Sequence, residues 1–126
     1  MIRVSVLYAN GEGAQFDHSY YRDKHVPLVA ARLGASLKSY SIDKGLADDR
    51  LGSSAPYVAM VHLICESIEA FQASFAPHAA ELLADVPNYT NLAPIMQISE
   101  IVTNTTLEPA KHRAAWSNNS LPTMRM

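Results

Sequence analysis

Apolar and polar residues alternate from the second position. Ile2, Val4, Val6 and Tyr8 fall on one side of an extended segment and Arg3, Ser5 and Leu7 on the other, which is the period of a β-strand. Asn10, Gly11, Glu12 and Gly13 supply turn chemistry. Asp17 then fits a helix N-cap, with Phe16 before it and Tyr21 four residues after it placed as a hydrophobic staple. The spacing predicts a helix to about Leu33, closed by Gly34. Pro27 falls inside it, lacks a backbone donor and crowds the carbonyl of Asp23, which predicts a kink beside His25.

Residues 36–42 read as a second strand and 44–56 as a polar loop. Residues 57–65 are apolar at nearly every position, as in a strand covered on both faces, with His62 the exception. Ser67 caps a second helix through Ile68, Phe71 and Phe75, interrupted at Pro77 and resumed to about Ala84. Residues 85–91 break that helix, and 95–102 form the last strand. There Gln97 and Ser99 share a face with Ile95 and Ile101, while Met96, Ile98 and Val102 face the other way.

The order β-α-β-β-α-β is the ferredoxin-like plan, an α+β fold in which a four-stranded antiparallel sheet carries both helices on one face. The other face needs cover, so two copies are expected to close their sheets against each other as a homodimer, leaving a pocket between them. Residues 1–104 make this domain. Beyond Asn104 the pattern fades, and 105–126 read as a C-terminal arm or tail.

Composition narrows the partners. Ten basic residues against twelve acidic ones, with no run of like charge, leave no footprint for nucleic acid or an anionic membrane. The expected partner is a hydrophobic small molecule or another protein chain. Cys65, alone of its type and inside the apolar third strand, reads as a small buried hydrophobe that stays reduced. No segment reaches the roughly eighteen apolar residues of a membrane span, and the alternating N-terminus has no secretory apolar region. The expectation is a cytoplasmic protein. His18, His25, His62, His78 and His112 are scattered without metal-ligand spacing, so no metal site is expected. Gly11-Glu12-Gly13 lacks the third glycine and the context of a dinucleotide loop, which disfavours a nicotinamide cofactor.

The chemistry concentrates on the first helix, where Asp17, Tyr21 and His25 stand four residues apart along one face. An imidazole with a pKa near ~6.5 exchanges protons at neutral pH, so His25 is the candidate general acid/base. Tyr21, one turn earlier, could orient that ring or donate to a substrate oxygen. Tyr20 points about 100° away on an ideal helix, and joins the site only if the kink turns it. Asp17 is accounted for by its capping role. On the strands, His62 could face the barrel as a pocket base or haem ligand, and Gln97 and Ser99 could line the same space as substrate-binding residues.

The segments Phe16-Asp17, Tyr20-Tyr21 and His25-Val26-Pro27-Leu28, with Asp85-Val86-Pro87-Asn88-Tyr89-Thr90-Asn91 running into Gln97-Ile98-Ser99-Glu100, resemble the EthD family over about residues 2–103. The resemblance implies a small dimeric α+β barrel of a family named for ether degradation, whose members often carry a reductase label. The wider barrel superfamily includes cofactor-free quinol-forming monooxygenases, muconolactone-type isomerases, aromatic polyketide cyclases and haem-binding oxidoreductases. In the family pattern His25 falls on a helix-one histidine that related barrels direct into the pocket, and Tyr20 and Tyr21 fall on its tyrosine pair. Residues 111–126 lie outside it.

Two functions stay open at this point. One is a cofactor-free enzyme of oxidoreductase, isomerase, lyase or cyclase type, acting on an aromatic or carbonyl-bearing molecule with His25 as acid/base and a tyrosine holding the oxyanion. The other is a non-catalytic metabolite-binding or accessory protein for a partner oxygenase or degradation pathway. A haem variant of the first would use His62.

Overall fold

The computed structural model describes residues 1–110. Strand β1 (Ile2–Ala9), where the alternation is cleanest, takes a central place and pairs antiparallel with β3 (Tyr57–Cys65) on one side and β4 (Ile95–Glu100) on the other. Strand β2 (Leu37–Lys44) adds outside β3, giving the order β2-β3-β1-β4. This is the expected α+β arrangement, a four-stranded antiparallel sheet with two helical segments packed on it.

Register divides the sheet into two faces. Val4 stands opposite Leu63 and Ile98, and Val6 opposite Val61 and Met96, so these share the helix face. Ser5 stands opposite His62 and Gln97, and Arg3 opposite Ser99, which puts those residues on the open face. In β3 Ala59, Val61, Leu63 and Cys65 are buried while Met60, His62 and Ile64 between them are half-buried. The strand is therefore sealed on one face of the chain, where its unbroken apolar run suggested two. Cys65 is a free, fully buried thiol.

Strand ends follow the neighbours. β2 continues to Lys44 because its backbone still pairs with Ala59, although Asp43 and Lys44 on this edge carry no apolar signal. β4 stops at Glu100, the partner of Ile2, because β1 offers no further strand backbone. Residues 101–109 form neither helix nor strand. The expected tail from 105 lies mostly outside the described residues.

Helix α1 spans residues 18–33 in three pieces: an α turn His18–Tyr20, a π turn Tyr21–His25 and an α segment Val26–Leu33. Asp17 caps it by accepting from the Tyr20 N–H at 3.0 Å, and Phe16 meets Tyr21 with ring centroids 5.0 Å apart, the staple the spacing predicts. Gly34 ends it at φ 57°, a left-handed value that glycine adopts at little cost. At Pro27 the helix re-registers: the Val26 N–H bonds the Tyr21 carbonyl five residues back, and the backbone stays right-handed helical through Val26. A widened turn takes up the missing donor.

Helix α2 runs from Ile68–Phe75 through a 3₁₀ turn Ala76–His78 into Ala79–Asp85. Ser67 caps it through the Ala70 N–H at 3.0 Å. Val26 and Leu33 from α1 and Phe71 from α2 join the core residues of β1 and β3, and Leu82 of α2 is also buried. Each fully buried aliphatic or aromatic side chain contributes about 1.5–3 kcal/mol.

Candidate active site under the helices

The π turn decides where the first-helix residues point. On a regular α-helix, positions five apart diverge by about 140°. An i to i+5 turn stacks them instead, and Tyr20 and His25 converge on one carboxylate. His25 Nδ1 lies 2.9 Å from Asp85 Oδ2, and the Tyr20 hydroxyl donates to Asp85 Oδ1 at 2.7 Å. Asn88 Nδ2 donates to the same oxygen at 2.9 Å. Burial raises the Asp85 pKa, but hydrogen bonds from Tyr20, His25 and Asn88 together outweigh it and hold the carboxyl below its ordinary range.

An ionised carboxylate only accepts, so His25 Nδ1 donates to it, which leaves Nε2 as the ring nitrogen that can exchange a proton with a ligand. Nε2 has no hydrogen-bond partner among the described residues and is not sealed from solvent. His25 is 6% exposed and stands on the wall of a cavity of about 320 Å³ between the helices and the helix face of the sheet.

Tyrosines surround the ring. Tyr21 stacks on it with centroids 5.5 Å apart, and Tyr89 tilts against it at 4.6 Å. The Tyr8 and Tyr89 hydroxyls are 2.6 Å apart. Burial, reinforced by the neighbouring phenols, pushes Tyr21 and Tyr89 far above the usual phenol range, so both remain protonated donors. The carboxylate bond raises Tyr20 as well.

The segment after α2 is fixed to the backbone of the segment before α1 by backbone and side-chain hydrogen bonds. The Asp17 N–H donates to the Tyr89 carbonyl at 2.7 Å, Thr90 Oγ1 to the Gln15 carbonyl at 2.6 Å and Asn91 Nδ2 to the Gly13 carbonyl at 2.9 Å. This clamp sets the start of α1 against Tyr89 and Asp85.

The expected site is thus split. Tyr21 and His25 line the helix-face cavity, and Tyr20 reaches it indirectly through Asp85. His62, Gln97 and Ser99 lie across the sheet on the open face and share no cavity with His25. There His62 Nδ1 is 2.8 Å from Ser5 Oγ, His62 Nε2 is 3.6 Å from Asp43, and Gln97 donates to Ser99 at 3.0 Å. The pocket also lies under the helices, where the sequence pointed to a space between two sheets. Asp85 and Tyr89 appear in the sequence only as part of the family-like segment 85–91, and neither they nor Tyr8 read as site residues from it. Asp85 carried one usable signal: it ends a helix, where the macrodipole disfavours an anion, so a carboxylate there calls for specific partners.

Among the described residues no cluster of three His, Cys, Asp or Glu side chains could hold a metal ion, and no helix is long and apolar enough to cross a membrane.

A four-stranded antiparallel sheet with two helices packed on one face defines a small α+β protein. Residues 10–93 match the EthD domain, and the chain belongs to the EthD family. It is 48% identical to an EthD-like protein from Ralstonia eutropha over 83% of this chain and 95% of that one, with a TM-score of 0.80. An ethyl tert-butyl ether degradation (EthD) family protein from Bacillus halodurans is similar in fold at 14% identity, covering 79% of this chain and 97% of its own, with a TM-score of 0.57. A protein from Arabidopsis thaliana shares the fold at 14% identity over 84% of this chain and 100% of that chain, TM-score 0.59. Among curated proteins none matches the sequence.

Proposed function

We propose that the protein is a cofactor-free enzyme that removes and returns a proton next to a carbonyl group of a hydrophobic small molecule. The observation that carries this reading is the His25 and Asp85 pair at 2.9 Å, with the free imidazole nitrogen at the wall of an apolar cavity. Asp85 holds the ring and its tautomer, His25 Nε2 takes the proton, and a cavity tyrosine hydroxyl stabilises the enolate oxygen. The proton returns from Nε2 to carbon or oxygen. Such a step serves isomerisation, cyclisation or the opening of a quinol-forming oxygenation.

His62 suits a haem poorly. Its ring nitrogens face Ser5 and Asp43, and the groove around it is lined by Arg3, Ser39, Ser41 and Asn104. The proposed chemistry uses no cofactor. The enzyme works as a homodimer closed over the open sheet face, a reading supported by the half-buried Leu7, Met60 and Ile64 there. A sealed free thiol at Cys65 fits a cytoplasmic setting.

The test is deuterium uptake from D₂O at the carbon beside the carbonyl of small aromatic ketones, followed by NMR. Wild-type protein should catalyse uptake, and His25→Ala should lose at least ~100-fold of it with ketone affinity unchanged. Ketones that bind without exchange would favour the alternative, a metabolite-binding accessory protein.

A further inference from the structure

The cavity is polar at one end only. Tyr8, Tyr21, His25 and Tyr89 close its inner end, and these residues are buried. Phe71, Phe75, Leu63 and Val61 form an aliphatic and aromatic middle. Its opening is marked by the lining residues that solvent reaches, Leu83 at 58% exposed and Met96 at 45%, which sets the mouth between the second half of α2 and strand β4. No Lys, Arg, Asp or Glu lines it. The Asp85 carboxylate stands behind His25.

We infer that the ligand is uncharged and about two rings in size, and enters with a single carbonyl or hydroxyl oxygen leading and an apolar body trailing to Leu83 and Met96. The inference rests on the proposed role of His25 and adds the class of molecule it meets. Size follows from volume: 320 Å³ is roughly twice the ~150 Å³ apolar cavity that holds one benzene. Charge follows from the wall. A carboxylate leading into this cavity would meet the lone pair of Nε2 with Asp85 behind it and no cation to offset its lost hydration. A cation would find ring faces but no free carboxylate, since Asp85 is already saturated by Tyr20, Asn88 and His25, and ring faces alone return about 2 kcal/mol against a larger desolvation cost. A neutral ketone brings no charge to desolvate, and its one oxygen accepts from a tyrosine O–H.

Three probes separate these terms: 2-acetylnaphthalene, 2-naphthoate of the same ring size with a negative charge, and the one-ring acetophenone. Their dissociation constants are measured by calorimetry at pH 7.5 on wild type and on Val29→Phe, which narrows the cavity from a half-buried position on α1. Acetylnaphthalene should bind at least ~10-fold tighter than naphthoate and than acetophenone. Val29→Phe should weaken acetylnaphthalene by at least ~10-fold and acetophenone by less than ~3-fold. Should Val29→Phe fail to fold, the three wild-type constants alone decide. Naphthoate binding as tightly as the ketone, or acetophenone as tightly as the two-ring ketone, overturns the inference. Deuterium uptake keeps the two readings apart. Selective binding of the two-ring ketone without exchange leaves the ligand class standing and removes the catalytic role. Exchange of acetophenone without preference for acetylnaphthalene does the reverse.

Discussion

The two faces of the sheet each carry a histidine beside a carboxylate, and they differ in everything that makes such a pair useful. Under the helices His25 and Asp85 are 2.9 Å apart with side chains 8% and 16% exposed. On the open face His62 and Asp43 are 3.6 Å apart, and Asp43 is 61% exposed. Water and salt screen the second pair, while the first works in a low dielectric where orientation and charge are felt strongly. His62 also spends Nδ1 on Ser5, whereas His25 keeps Nε2 free beside a cavity. Residue type alone does not separate the two histidines; burial and the partner atom do.

The largest effect that would break this comparison is on turnover. His25→Ala should lower deuterium exchange of a bound aromatic ketone at least ~100-fold, and His62→Ala should leave it within about 2-fold. Equal losses in both variants would mean that the faces act as one site. Next comes Asp85→Asn, which keeps shape but removes the carboxylate that fixes the tautomer. Exchange should fall at least ~10-fold, because Asn no longer holds the proton on Nδ1, with ketone affinity unchanged.

Asp85 also ties the face to pH. Its folded pKa is depressed, so the stability it contributes is fully present above the unfolded carboxylate value near ~3.9 and is lost as pH falls through the lower folded value. Denaturant melts at pH 7, 4 and 3 should show this acid loss in wild type and a flatter profile in Asp85→Asn. At pH 7 the variant should be about 1.5–3 kcal/mol less stable, the range for a hydrogen bond to a charged group. Tyr20→Phe removes one bond that lowers the carboxyl, so its acid loss should be smaller than in wild type and complete at higher pH, with the onset still set by the unfolded carboxylate. A wild-type acid profile identical to that of Asp85→Asn would contradict the hydrogen-bonded carboxylate.

The contrast also explains what could be read from the chain. Strand alternation, the Asp17 cap, the Phe16 and Tyr21 staple and Gly34 are local signals, and each appears in the fold where its spacing puts it. Pro27 announced a disturbance without its form: whether the chain kinks or widens into a π turn depends on what the neighbouring helix and loop accept. Tyr20 points about 100° away from Tyr21 on an ideal helix, and the π register turns it to share Asp85 with His25. Asp85 stands 60 residues from His25 in the chain, and no periodicity links them; their meeting depends on the clamp between residues 13–17 and 89–91. His62, Gln97 and Ser99 were correctly placed together on one face, but single-strand alternation cannot show which face the helices cover.

The smallest effects test whether the open face is as inert in isolation as its geometry says. Tyr89→Phe under the helices removes a buried 2.6 Å bond to Tyr8 and should lower stability by about 1 kcal/mol. Asp43→Asn, across the sheet, breaks a long and solvated ion pair and should stay within about 0.5 kcal/mol in dilute protein, where a homodimer would dissociate. Measuring Asp43→Asn again at high protein concentration sharpens the contrast. If a second copy covers the open face, Asp43 and His62 lose water on association, and Asn at 43 then changes the dimer dissociation constant while the dilute-protein melt stays fixed. Sedimentation equilibrium on wild type and Asp43→Asn reads that constant directly. An unchanged constant, or no dimer at either concentration, would mean that the open face is not the contact.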